Sequence, residues 1–283
     1  MDNQENATNP ATEGAVATKT GRLASLRKDP KGWTVLALAV AAVIVFFGSA
    51  FGAGIGLWGW QAGLSALPWT GLVALIALIV AIVGILLDRR KERKTRWRLL
   101  GLGTIVSLGF IGYLASYAMT LASLPAIHDI TTDLADPPEF SALTLRADNW
   151  DNIPGADDSA MRGMNPRQRW ATLHQDAYPD IRSVRINQPV AEVIEKSKRL
   201  AEDRGWEVAN VDPASGHLEA TATISLFRFK DDVVIRARAA ENGQASIIDM
   251  RSVSRVGIHD LGANAKRVRQ FLSDLSGTTT TAS

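Results

Sequence analysis

Residues 70–87 read TGLVALIALIVAIVGILL, and residues 88–98 read DRRKERKTRWR. The first run carries no charge, and as a helix its length is about 27 Å, close to the ~30 Å of a bilayer's hydrocarbon. The second holds seven Lys and Arg in eleven residues. An apolar run that ends in such a cluster reads as a membrane span stopped at a cytoplasmic face, because short basic loops stay inside.

Working outward, residues 33–57 and 99–121 form two further uncharged apolar runs. Residues 58–69, between the first two runs, carry no charge at all. The pattern predicts an α-helical transmembrane anchor of three helices over residues 31–123, set in the lipid bilayer of the inner (plasma) membrane. The N-terminus and the basic loop fall in the cytoplasm, and everything after Leu121 falls in the periplasm. Trp58, Trp60 and Trp69 suit an aromatic belt at the outer interface, and Trp97 suits the inner one. The first run is too long for a cleaved signal's apolar core, and no convincing cleavage site follows it.

Gly48, Gly52 and Gly56 recur every four residues in the first run, and Gly112, Ser116 and Thr120 do so in the third. Small residues at this spacing let helix backbones approach closely. Packing among the chain's own helices and docking to a membrane protein partner both fit. No Asp, Glu, Lys, Arg or His interrupts a run, which argues against an ion or proton pathway.

The net charge of +2 over 283 residues hides a split. Residues 1–123 hold 12 Lys and Arg against 6 Asp and Glu, and residues 124–283 hold 19 against 23. The basic pI therefore belongs to the anchor and implies no nucleic-acid partner. The absence of cysteine excludes disulfides, thiolate metal sites and Cys nucleophiles. Residues 1–30, with few large apolar side chains, read as a disordered cytoplasmic N-terminus that includes Arg22, Arg27 and Lys28. Residues 277–283 read as a disordered tail.

Residues 124–180 contain Pro125, Pro137, Pro138, Pro154, Pro166 and Pro179 and read as an extended linker that wraps over a domain, with a short helix near residues 167–175. Residues 181–276 carry regular signals. Strands are expected at 181–186, 206–211, 218–224, 233–238 and 245–253. Glu219, Thr221 and Thr223 alternate with apolar neighbours, and Asn242-Gly243 makes a hairpin turn. One helix follows Asn187 and Pro189, with Val190, Val193, Ile194, Ser197, Leu200 and Ala201 at helical spacing up to Gly205. Another follows Asp260, with Leu261, Ala265, Val268, Phe271, Leu272 and Leu275 on one side up to Gly277. Short connections imply a mainly antiparallel sheet, and both helices fit on one face of it, giving a two-layer α+β domain.

No GxSxG, HExxH, Walker loop or strand-linked GxGxxG occurs, and His128, His174, His217 and His259 show no ligand spacing. No catalytic residue, metal site or cofactor is expected. The densest polar constellation is Arg251, Ser252, Ser254, Arg255, Asp260, Asn264 and Arg267, together with Asp249, Gly257 and Gly262. Two readings fit it. A helix N-terminus with three arginines suits a carboxylate or phosphate, although Asp260 in the capping position competes for the same N–H groups. Alternatively, the arginines pair with Asp231, Asp232, Asp249 and Asp260 and hold the loop in place. Two lesser features are the run Phe227-Arg228-Phe229-Lys230-Asp231-Asp232, read as a turn or contact surface, and Ala126 to Asp133, read as an extended segment docking on a domain edge or membrane surface.

These residues carry a resemblance. Ile127-His128-Asp129-Ile130-Thr131-Thr132-Asp133 followed by Pro137-Pro138, then Tyr178-Pro179-Asp180, Gly205-Trp206 and the Phe227 to Asp232 run, resemble the bacterial "domain of unknown function 1499" family. So do Arg251-Ser252, Ser254-Arg255-Val256-Gly257, Asp260-Leu261-Gly262 and Asn264. The resemblance covers roughly residues 124–276. It implies a membrane-anchored domain and assigns no catalytic residue. The expectation is a non-catalytic, membrane-tethered periplasmic module that binds an anionic envelope component or a partner protein through residues 251–267. The alternatives are a structural subunit of a larger inner-membrane complex, held through the Gly48, Gly52 and Gly56 face, and an envelope enzyme without a recognised signature.

Overall fold

A computed structural model of the chain describes residues 29–224 and 227–277. The expectations for residues 1–28 and 278–283 lie outside the described residues. Contacts divide the chain into two compact units, with the boundary after Ser116.

In the first unit, helix α1 is Pro30–Gly54. It begins where Asp29 accepts the amide of Gly32 at 3.0 Å and Pro30 takes a position that needs no amide hydrogen. It stops short of the expected residue 57. The chain turns at Gly56 (φ 81°), and Trp58 folds back to donate its indole N–H to the carbonyl of Ser49 at 3.0 Å. Helices α2 (Trp60–Ser65) and α3 (Leu67–Arg90) form one apolar stretch, and helix α4 is Trp97–Ser123, whose residues from Tyr117 on belong to the second unit. The stretches Pro30–Gly54, Trp60–Arg90 and Trp97–Ser123 are each long and apolar enough to cross a membrane. Val35 and Ala39 of α1 pack with Ala77 and Ala81 of α3 and Leu100 of α4. Lys31 and Asp88 form an ion pair between the start of α1 and the end of α3.

The second unit is built on a six-stranded antiparallel sheet in which five strands run β1-β6-β5-β4-β3. The strands are β1 (Asp129–Thr131), β2 (Val184–Ile186), β3 (Glu207–Asp212), β4 (His217–Thr223), β5 (Lys230–Ala240) and β6 (Ala245–Ser254). β5 and β6 form a hairpin in register from Asp231↔Ser254 to Ala240↔Ala245. Glu241 and Asn242 take positive φ in its turn. The outer edge of β6 is shared: β1 pairs with residues 251–253 and β2 with residues 246–248.

Between β1 and β2 lies helix α5 (Pro166–Ala177), started by a reciprocal Asn165–Gln168 capping box and burying Trp170 and His174. The strand expected at 181–186 shortens because the Ile181 amide turns back to the Tyr178 carbonyl at 3.1 Å. Helices α6 (Val190–Asp203) and α7 (Ala263–Ser276) pack against the sheet. Val193, Ile194, Val268, Phe271 and Leu275 meet Leu218, Val233, Ile235, Ile248 and Met250 there in one apolar core. The expected two-layer arrangement of helices on an antiparallel sheet is what forms. Residues 124–180 contribute β1 and α5, the latter where a short helix was expected near residues 167–175.

Candidate functional site

The two-residue period of the strands decides the site. Leu218, Ile235 and Met250 are register partners and face the helices, so their neighbours Glu219, Val234 and Arg251 face the other way. A strap of residues 132–149 crosses this second face. It brings backbone amides and carbonyls to charges that would otherwise lie bare on the sheet.

Arg251 is the central cation. Its Nε donates to Asp129 Oδ1 at 2.9 Å and its Nη2 to Asp129 Oδ2 at 2.7 Å. Its Nη1 donates to the Pro138 carbonyl at 3.2 Å, and Phe140 of the strap lies under the guanidinium. Asn149 donates to the same carboxylate at 2.8 Å. Asp249, fully buried, accepts from Ser183 at 2.6 Å, Arg238 at 2.8 Å and Arg236 at 3.1 Å.

Glu219 is also fully buried. It accepts from the Ser141 amide and hydroxyl, each at 2.6 Å, and from the amides of Ala142 and Leu143 at 3.0 and 2.6 Å. His217 Nε2 lies 2.7 Å away. Burial alone would raise the pKa of this carboxyl, but the hydrogen bonds from Ser141, His217 and the strap amides outweigh it and hold it at about 2.

The seven residues singled out in sequence divide across the sheet. Arg251 lies on the strap face. Arg255 joins it there, with Nε and Nη2 on Asp232 at 2.8–3.0 Å and Nη2 also on Thr221 at 3.0 Å. Ser252, Ser254, Asn264 and Arg267 lie on the helix side. Ser252 donates to Asn264 Oδ1 at 2.7 Å, and Asn264 donates to Ser254 at 2.9 Å and to the His128 carbonyl at 3.0 Å. Arg267 reaches Asp231 at 2.6 Å and Ser252 at 2.9 Å. Asp260 accepts the amides of Gly262 and Asn264 at 2.9 and 2.8 Å at the start of α7. Burial raises its pKa against the pull of those amides. The three arginines thus meet three different carboxylates. Sequence reasoning supplied Asp231 and Asp232 as partners and missed Asp129, which belongs to a segment it had noticed for other reasons.

The histidines do not form a cluster. His174 accepts the Thr131 amide through Nε2 at 3.2 Å, and burial lowers its pKa to about 4. Burial, with Arg146 nearby, also lowers that of His128. His259 accepts the Leu261 amide at 2.8 Å. His217 opens onto a polar depression of about 350 Å³ with Ser141, Asn210 and Arg236. Among the described residues, no three His, Asp or Glu side chains are placed to hold a metal ion. Phe227 and Phe229 stack with ring centres 5.3 Å apart.

Of Gly48, Gly52 and Gly56, the glycines singled out in the first apolar run, Gly52 lies under the Trp58 ring, where a Cβ would come within 2.1 Å of it. Gly48 has nothing within 4 Å of that position, and Gly56 lies beyond the end of α1. A close helix approach lies at Gly103 of α4, where a Cβ would stand 2.7 Å from the Leu36 backbone nitrogen of α1.

Three membrane-length apolar helices, then an open antiparallel sheet with helices on one face and a charge-lined strap on the other, define a class of helix-anchored α+β proteins. The chain belongs to the family described as protein of unknown function (DUF1499), which matches residues 129–275, just over half of its length. The match begins at Asp129, the partner of Arg251, and ends at Leu275 in the core of α7. No curated protein matches the chain.

Proposed function

We propose that the chain is a membrane-tethered, non-catalytic binding module. Its three helices cross the inner membrane with the N-terminus in the cytoplasm, and its domain lies in the periplasm, where it meets an anionic envelope component or a partner protein. The basic loop after α3 supports this orientation.

The observation that carries the binding reading is the contrast between Arg255 and the other arginines of the polar constellation. Arg251, Arg236 and Arg267 are held in largely buried pairs. The Arg255 side chain is 41% exposed although its partner Asp232 is buried. A rigid framework with an outward guanidinium suits recognition of a phosphate or carboxylate, because little side-chain freedom is lost on binding.

Two experiments test the reading. A phosphatase reporter fused after Ser283 should be active and one fused near Lys91 inactive; the reverse overturns the orientation. Native mass spectrometry of the full chain in mild detergent should show phosphatidylglycerol retained over phosphatidylcholine, and Arg255→Gln should abolish the preference. Equal retention of both lipids by the unaltered chain would remove the anionic ligand and leave a protein partner as the reading.

A further inference from the structure

We propose that residues 257–262, the loop between β6 and α7, form a membrane-contact element through which the domain dips into the headgroup and acyl boundary of the bilayer. The inference rests on the reading above, in which α4 crosses the membrane.

Among the described residues after Ser123, the large apolar side chains left exposed are Ile258, at 52%, and Leu261, at 38%. Both lie on this one loop. Elsewhere the domain gathers its large apolar groups into the core, so a pair exposed three positions apart is a local feature with a local cause.

The loop is fixed beside the exit of the third apolar helix. Leu124 directly follows the last residue of α4, and its amide continues the helical pattern to the Thr120 carbonyl at 3.2 Å. His259 Nε2 lies 3.3 Å from the Leu124 carbonyl. A Cβ on Gly262 would stand 3.0 Å from a methyl of Leu124. The last turns of α4 expose Met119 and Leu121. A loop held against the first residue beyond a span lies at the depth where the bilayer gives way to water, and apolar side chains there gain by entering the boundary.

The backbone is shaped to present them. Leu261 sits at φ 54°, a region costly for a side chain of its kind, and its amide is held there by His259 Nδ1 at 2.8 Å. Arg255 and Lys266 flank the loop as exposed cations, the charge sign that anionic headgroups favour. The bilayer that α4 leaves is therefore the occupant that this surface fits.

The chain has no cysteine, so one introduced cysteine gives one label. Full-length Ile258→Cys and Leu261→Cys, each carrying an environment-sensitive fluorophore, would be reconstituted in phosphatidylethanolamine–phosphatidylglycerol vesicles. Ile105→Cys, on the exposed face of α4, reports the span. Gln244→Cys, at the opposite end of β6 and about 30 Å of strand away, reports the water side. Acyl-chain nitroxide should strongly reduce the emission at 258, 261 and 105 and spare 244, whereas aqueous iodide should act on 244 alone. If 105 responds to the nitroxide while 258 and 261 respond to iodide as 244 does, the membrane contact is overturned and the span stands. If 105 itself fails to respond to the nitroxide, the spanning reading falls and takes this inference with it. Shielding of 258 and 261 from both quenchers would mean that protein covers the loop, a second copy or another part of the chain, and would also overturn the lipid contact.

Discussion

Arg251 and Asp129 meet as a fork on a fork, 122 positions apart in the chain, with two parallel hydrogen bonds of 2.9 and 2.7 Å. Arg251 is 4% exposed and Asp129 1%. Their backbones are not direct register partners: Thr131 lies opposite Arg251 and Asp129 opposite Val253, so the side chains reach along the diagonal. β1 has only three residues, and this pair ties it to β6.

Removing one member leaves the other buried and unpaired. Arg251→Ala should therefore cost about 3–5 kcal/mol, because desolvation of Asp129 is no longer compensated. Replacing both together, with Asp129→Leu and Arg251→Met, should recover most of that loss. Pulse proteolysis of the full chain across a urea series measures both, and a loss below about 1 kcal/mol for Arg251→Ala would refute the role.

Arg255 offers the contrast. Its pair with Asp232 faces water on the arginine side, so solvent already weakens it. Arg255→Ala should change stability by only about 1 kcal/mol in the same assay. A loss as large as that for Arg251→Ala would make the residue structural and end its role as the outward cation.

Gly103 and Gly48 separate packing from open surface in the anchor. Any Cβ at 103 meets the α1 backbone, which cannot yield as a flexible side chain would. Gly103→Ala should cost roughly 1–3 kcal/mol through overpacking, and Gly48→Ala should be silent. Thermal melting in detergent, read by size-exclusion chromatography, compares them. A sensitive Gly48 would point to a second chain on that face.

Acid should unfold the domain in two windows. Burial lowers the His174 pKa from 6.5 to about 4, so the unfolded chain takes up this proton first. Stability should fall between those values by on the order of 3 kcal/mol and then level off. Glu219 is held at about 2 against an ordinary 4.5, so its contribution is complete above 4.5 and disappears as pH falls toward 2. Pulse proteolysis at stepped pH should show both losses, with His174→Gln flattening only the upper one. Unchanged stability from pH 6.5 to 4 would contradict the His174 assignment.

The anchor was legible because its signal is one-dimensional. A charge-free run of membrane length ending in DRRKERKTRWR carries its meaning without any distant residue. The central strands and the two covering helices were legible for a similar reason, since alternation and helical spacing are local patterns set by one apolar face. β1 and the strap were not. Residues 132–149 have no period, and their order comes from amides and carbonyls answering Glu219 and Arg251, which lie about a hundred positions away.

The sequence by itself determined that three apolar helices precede an α+β domain, and that arginines, serines and aspartates crowd its last strand and loop. Tertiary structure alone decided what that crowding becomes. Alternation along β6 sends Arg251 to one side of the sheet and Ser252 and Ser254 to the other, and Arg255 and Arg267 follow separate aspartates. Adjacency in the chain is a covalent fact, but the partner of a buried charge is settled by which group the fold carries into the same dry space.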